Sequence, residues 1–219
     1  MFESNVFNRT SAGEQEISAA AYNITIGLCL FWGFFVNWLM VVNIDPASLT
    51  SIPTWMFFIG YFASCFFGMY LFNSSDKPIV SFIGYNFVVV PFGLIINIVV
   101  SVYDDTLVME AIRITGGVTL VMMILGSMYP KFFKKISGAL TVALLAVIVI
   151  ELVQIFVFGI HHNWIDWAVA VIFCGYIGYD WGRANQIPKT YDNAVDSAAA
   201  LYMDIINLFL RILRILGRR

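Results

Sequence analysis

Seven runs of mostly apolar residues follow one another along this chain, near 21–42, 52–72, 78–102, 107–129, 136–158, 164–182 and 194–215. A helix needs about 20 such residues to cross the hydrocarbon core of a bilayer, and each run approaches or exceeds that length. The connections are short and hold the helix breakers, among them Asp45-Pro46, Asn73-Ser74-Ser75-Asp76, Tyr129-Pro130 and Gln186-Ile187-Pro188. Nothing is left over for a soluble domain. The chain therefore reads as an all-α integral membrane protein, with an N-terminal segment at 1–20, a single seven-helix transmembrane domain at 21–216 and a short tail at 217–219.

Composition points the same way. With 60% of its residues hydrophobic and 12% charged, a soluble domain of this size would lack the polar surface to cover its core. The 14 acidic and 12 basic residues nearly cancel, which removes the basic field that a nucleic-acid partner needs. The lipid bilayer is the expected partner. Glu3, Arg9, Glu14, Gln15 and Glu16 precede the first run; that pattern is not a cleaved signal peptide, so the first span is expected to persist. Cys29, Cys65 and Cys174 fall inside apolar runs without metal-ligand spacing. They read as packing residues, and no cofactor is expected.

Orientation follows from the basic residues of the short loops. An inside N-terminus puts Arg9, Lys77, Lys131, Lys134, Lys135, Arg183 and Lys189 in the cytoplasm and Arg113 alone outside. Arg211, Arg214, Arg218 and Arg219 run against this rule, so the last segment reads either as a full crossing held by its neighbours or as a re-entrant hairpin. Short termini and loops favour a bacterial plasma membrane over an endoplasmic reticulum.

A charge within a span costs about 2.5 to 3.5 kcal/mol on insertion scales, so each needs a partner, a wet cavity or a task. In the last segment Asp196, Ala200, Asp204, Asn207, Arg211 and Arg214 recur at helical spacing, with Leu201, Ile205, Leu208, Ile212 and Ile215 opposite. A helix with one polar stripe belongs in the centre of a bundle, its stripe facing water or other polar groups. The alternative is an amphipathic helix lying on the membrane surface. At the end of the sixth segment, Asp180 is flanked by Gly178 and Gly182, small residues that admit a close neighbour. Ala198, Ala199 and Ala200 make the last helix equally thin, so these two helices are expected to touch. Two carboxylates brought together cannot both ionise cheaply and titrate as a pair. Such a pair senses pH and offers oxygen ligands to a hard cation.

Glu151 in the fifth span and Arg211 in the last lie at similar depth by helical rise, and an intramembrane ion pair is expected between them. A neutral, hydrogen-bonded Glu151 is the alternative. His161-His162-Asn163-Trp164-Ile165-Asp166 reads as an exposed polar loop in preference to a metal site.

The stretch Gly178-Tyr179-Asp180, followed by a short polar loop and then the run from Ala200 through Asp204, Asn207, Arg211 and Arg214 to Gly217, closely resembles the C-terminal signature of the Bax inhibitor-1 family. That family is also called the transmembrane Bax inhibitor motif family. Looser similarity reaches Pro78 to Leu94. The resemblance implies a central last helix enclosed by six others and a pH-dependent passive leak of calcium. It implies that Asp180 and Asp204 form the pH-sensing pair near the inner mouth and contact calcium transiently; by their spacing and depth Asp196, Asn207, Arg211 and Glu151 are expected as pore or gate support. The family's second span carries an arginine that latches the aspartate pair and a glutamate; here the second span, Ile52 to Phe72, has no charged residue.

Two other functions compete with a channel. Bax inhibitor-like proteins are also regarded as regulators that bind other membrane proteins, including proteases and cell-death regulators, and the Gly60, Ser64, Gly68 ladder suits such contact. Paired transmembrane aspartates also serve intramembrane aspartyl proteases. Tyr179-Asp180 matches half of that pattern, but Leu201-Tyr202-Met203-Asp204 stands where those proteases carry Gly-x-Gly-Asp. No enzymatic activity is expected.

Overall fold

The computed structural model describes residues 16–154, 157, 159 and 162–218, with the side chains at 72 and 73 left aside. The sequence features at Glu3, Arg9, Glu14, Gln15, His161 and Arg219 lie outside the described residues. Among those described, the chain forms eight helices: α1 (Ala19–Asn43), α2 (Pro46–Thr50), α3 (Thr54–Ser74), α4 (Pro78–Val100), α5 (Asp105–Met128), α6 (Pro130–Val153), α7 (Asn163–Ala184) and α8 (Tyr191–Leu216). Five of them, α1, α3, α4, α5 and α6, are long and apolar enough to cross a membrane. The other two long helices are more polar, with Asp166, Asp180 and Arg183 on α7 and Asp192, Asp196, Asp204, Arg211 and Arg214 on α8. Large apolar side chains such as Phe31 and Trp38 on α1, or Phe58, Phe62 and Phe66 on α3, point outward. Such a surface belongs in lipid.

Helix boundaries follow from local chemistry. Ser18 caps α1 by accepting from the Ala21 amide at 3.1 Å, Asp45 caps α2, and proline opens α2, α4 and α6, where its missing N–H costs nothing. The short α2 falls within a connection that reads as a plain breaker. The sequence also places the start of the fifth span too late. Pro130 nucleates α6 ahead of Lys131, Lys134 and Lys135, because lysines are good helix formers whatever their cost in hydrocarbon.

The chain packs as two compact units. The first takes the described part of Met1–Val102 together with Gln186–Tyr202, and the second takes Tyr103–Asn185 and Met203–Arg219. In the first, α4 packs against α1 and α3. Pro91 interrupts α4 and leaves the Phe87 carbonyl without its helical donor; the Ser64 hydroxyl of α3 donates to that carbonyl at 2.7 Å. Gly68 completes the approach, since a methyl group there would come within 2.6 Å of the Gly84 carbonyl oxygen. Two rungs of the Gly60, Ser64, Gly68 ladder thus serve internal packing, and only Gly60 faces open space. Asn97 donates from one amide to the Met40 and Ile44 carbonyls, both at 3.0 Å, closing the end of α1.

In the second unit α7 packs against α5 and α6. Gly178 and Gly182 make this possible, and here the structure corrects the expected partner. A side chain at Gly178 would strike the Phe133 ring of α6, one at Gly126 of α5 would strike the Gly178 backbone, and one at Gly182 would lie 2.9 Å from the Gly126 carbonyl oxygen. The close approach that glycine allows on α7 is therefore used by α5 and α6, while α7 meets α8 through Asp166 and Arg211.

Candidate functional site: the charged stripe of the last helix

Thr190 starts α8, its hydroxyl accepting from the Asn193 amide at 3.1 Å. From there to Leu216 the helix is buried on nearly every side, with Ala194, Ala198, Leu201, Tyr202, Leu208 and Leu213 at 0–1% exposure beside the polar stripe. A 26-residue helix with both an apolar face and a charged face covered by protein is not a surface helix. Its polar groups must find partners within the protein.

In the first unit they do so against α1 and α4. Tyr22 donates to the Asn193 carbonyl at 3.3 Å or shares a 3.0 Å hydrogen bond with Ser197, and Ser81 donates to the Asp192 carboxylate at 2.6 Å. Asp196 is buried here and interacts electrostatically with Tyr22. Tyr202 sits against Phe34, Tyr85 and Phe92 and accepts a 2.6 Å hydrogen bond from the Asn37 amide.

In the second unit Asp204 meets Asp180, their carboxyls in hydrogen-bonding range of each other, with the Arg183 charge acting on Asp180. Asp204 is buried and its Oδ2 has no donor among the described residues. The apolar run at 164–182 ends two residues past Asp180, whereas α7 continues to Ala184, a full turn past it. Asn207, in contrast, turns back on its own helix and donates to the Met203 carbonyl at 2.8 Å.

Further along the stripe lies an ionic cluster. Arg211 binds Glu151 of α6 fork to fork, Nη1 to Oε1 and Nη2 to Oε2, both at 2.9 Å. Its Nη1 also donates to Asp166 of α7 at 2.9 Å. Arg214 reaches Glu151 at 3.4 Å and Asp166 at 3.2 Å, and Arg218 reaches Asp166 at 2.6 Å. Asp166 is wholly buried. Sequence reasoning misses it by placing it in a loop, whereas α7 begins at Asn163 and turns Asp166 inward; its position three residues past the helix start is the signal that was available. Among the described residues no group of three or more His, Cys, Asp or Glu is arranged to hold a metal ion.

An all-helical, multi-pass membrane protein with acidic and basic side chains gathered along its buried last helix is the class that these features define. Residues 14–219 match the family described as Inhibitor of apoptosis-promoting Bax1, and the chain belongs to this Bax inhibitor-1 family. It is 34% identical over 131 residues to Bax inhibitor 1 of Schizosaccharomyces pombe, covering 57% of this chain and 47% of that protein. It is 30% identical over 168 residues to an uncharacterized protein of Helicobacter pylori, covering 74% of this chain and 71% of that one. A BI1-like protein of Arabidopsis thaliana is 56% identical over 48 residues, 22% of this chain and 18% of that protein. The match thus spans about half the length of the Schizosaccharomyces pombe relative.

Proposed function

We infer that this protein is a pH-sensitive passive leak for calcium or a similar hard cation, with seven spans, α8 at their centre, and the Asp180–Asp204 pair as its gate. The observation that carries this reading is the meeting of those two carboxyls, one on α7 and one on α8. A hydrogen bond between two carboxyls needs one proton. Removing that proton leaves two like charges at contact distance, so the pair has two arrangements that differ by a proton. Two carboxylates, with no third acid grouped with them among the described residues, fall far short of the six to eight oxygens of a resident calcium site. They suit an ion in transit that keeps most of its water.

The family's latching arginine has no counterpart on α3, which bears no charge. The carboxylates of Glu151 and Asp166 take over the task of holding α8, by way of Arg211 and Arg214. Asp196 supplies a further carboxylate on the same stripe. The bacterial relatives, one named as an uncharacterized membrane protein of Streptococcus pyogenes, favour a bacterial plasma membrane, and the basic residues of the short loops favour a cytoplasmic N-terminus.

The test is calcium entry into liposomes that hold only the purified protein and a trapped calcium dye. A leak raises the dye signal above that of empty liposomes without any partner. Silence from folded protein would instead favour a regulator that acts by binding other membrane proteins.

A further inference from the structure

Three guanidinium groups converge on one carboxylate at the end of α8. Asp166 accepts from Arg211 at 2.9 Å and Arg214 at 3.2 Å through Oδ1, and its Oδ2 pairs with the Arg218 charge at 2.6 Å. Glu151 neutralises one further charge, so the described cluster holds three cations against two anions. Like charges gathered within a few ångströms repel unless another anion joins them.

Their hydrogen bonding is also incomplete. Arg211 uses both Nη groups, on Glu151 and Asp166. Arg214 and Arg218 each use Nη1 alone, the latter toward Asp166 and the Asn163 side chain at 2.8 Å. The Nε and Nη2 groups of both therefore have no acceptor among the described residues. These two side chains are also the accessible ones of the set, at 36% and 29% exposure against 18% for Arg211. Trp164 and Trp167, at the start of α7 beside Asn163 and Asp166, face outward. Tryptophan so placed marks the headgroup level of a bilayer, where phosphate is the abundant anion and a guanidinium fork is its natural partner.

We propose that Arg214 and Arg218 form a binding site for a phosphate group, supplied by an anionic lipid headgroup at the membrane interface beside the start of α7. The buried Asp166 holds each guanidinium by Nη1 and leaves its other edge for the ligand. This site is separate from the Asp180–Asp204 pair and does not depend on its gating role.

The full-length protein in detergent, titrated with phosphatidylglycerol and followed by native mass spectrometry, tests this directly. Wild type is expected to retain one phosphatidylglycerol at least fivefold more tightly than the Arg214→Gln/Arg218→Gln variant, and to show no such preference for diacylglycerol, which lacks the phosphate. Arg218→Lys, which keeps the charge and loses the fork, is expected to fall between them and guards against a variant that merely unfolds. Inorganic phosphate at millimolar concentration distinguishes the sources. If it fails to displace the lipid, the site takes a headgroup; if it displaces the lipid fully, the site is one for free phosphate. Equal retention of phosphatidylglycerol by wild type, Arg218→Lys and the double variant would overturn the proposal.

Discussion

Arg211 and Glu151 meet fork to fork, two hydrogen bonds of 2.9 Å joining the last helix to α6 within the bundle. Both side chains are more than four-fifths buried. Removing the carboxylate charge leaves Arg211 with Asp166 as its one full anionic partner. Glu151→Gln is therefore expected to destabilise the protein by about 1–3 kcal/mol, the cost of a poorly satisfied buried polar group. Thermal unfolding in detergent measures this, and an unchanged midpoint would mean that Glu151 is held in its neutral form.

Ser64 and Pro91 make a second, independent test. The Ser64 hydroxyl matters because Pro91 has freed the Phe87 carbonyl. Ser64→Ala should cost about 0.5–1.5 kcal/mol in the native chain. In a Pro91→Ala background, where the helix regains its own donor, it should cost much less. The difference between the two backgrounds, read as a double-mutant cycle, isolates the repair.

Glycine packing predicts a contrast along one helix. Gly68→Ala drives a methyl group to within 2.6 Å of the Gly84 carbonyl oxygen, a backbone atom that cannot step aside, while Gly60→Ala meets nothing within 4 Å. The first is expected to cost about 1–3 kcal/mol by overpacking. The second should be neutral or slightly stabilising, and thermal unfolding of the pair checks both.

Tyr202→Phe removes the acceptor of the Asn37 amide while keeping the ring that fills the pocket between Phe34, Tyr85 and Phe92. An expected loss of about 1–3 kcal/mol comes from the stranded amide. The double change Asn37→Leu/Tyr202→Phe should recover part of it, because no polar group is then left without a partner.

The places of the long helices were legible because apolar runs of membrane-spanning length have few alternatives. The charged stripe of α8 was legible for a related reason: Asp204, Arg211 and Arg214 keep helical spacing where every charge is costly, so their common face shows. Depth arithmetic likewise brings Glu151 beside Arg211. What escaped depended on tertiary choices that spacing does not encode. Gly178 and Gly182 mark a thin surface, but nothing in that motif says whether Gly126 of α5 or the alanines of α8 will fill it. Asp166 hid in a polar stretch because three residues at a helix start decide whether a carboxylate faces water or three arginines. The phosphate-binding edge of Arg214 and Arg218 depends on which nitrogens Asp166 occupies, and only coordinates carry that.

A proton shared between Asp180 and Asp204 is the centre of the proposed gate. Asparagine at 204 supplies permanently the donor that the shared proton supplies only while it is bound, so Asp204→Asn should hold the pair together at every pH. The decisive measurement is the rate of calcium entry into liposomes across about pH 6 to 8 for wild type and Asp204→Asn at matched protein content. The account predicts a wild-type rate that changes with pH and a variant rate that is flat, near the wild-type value at the acid end. A variant that follows the same pH profile as wild type would contradict it.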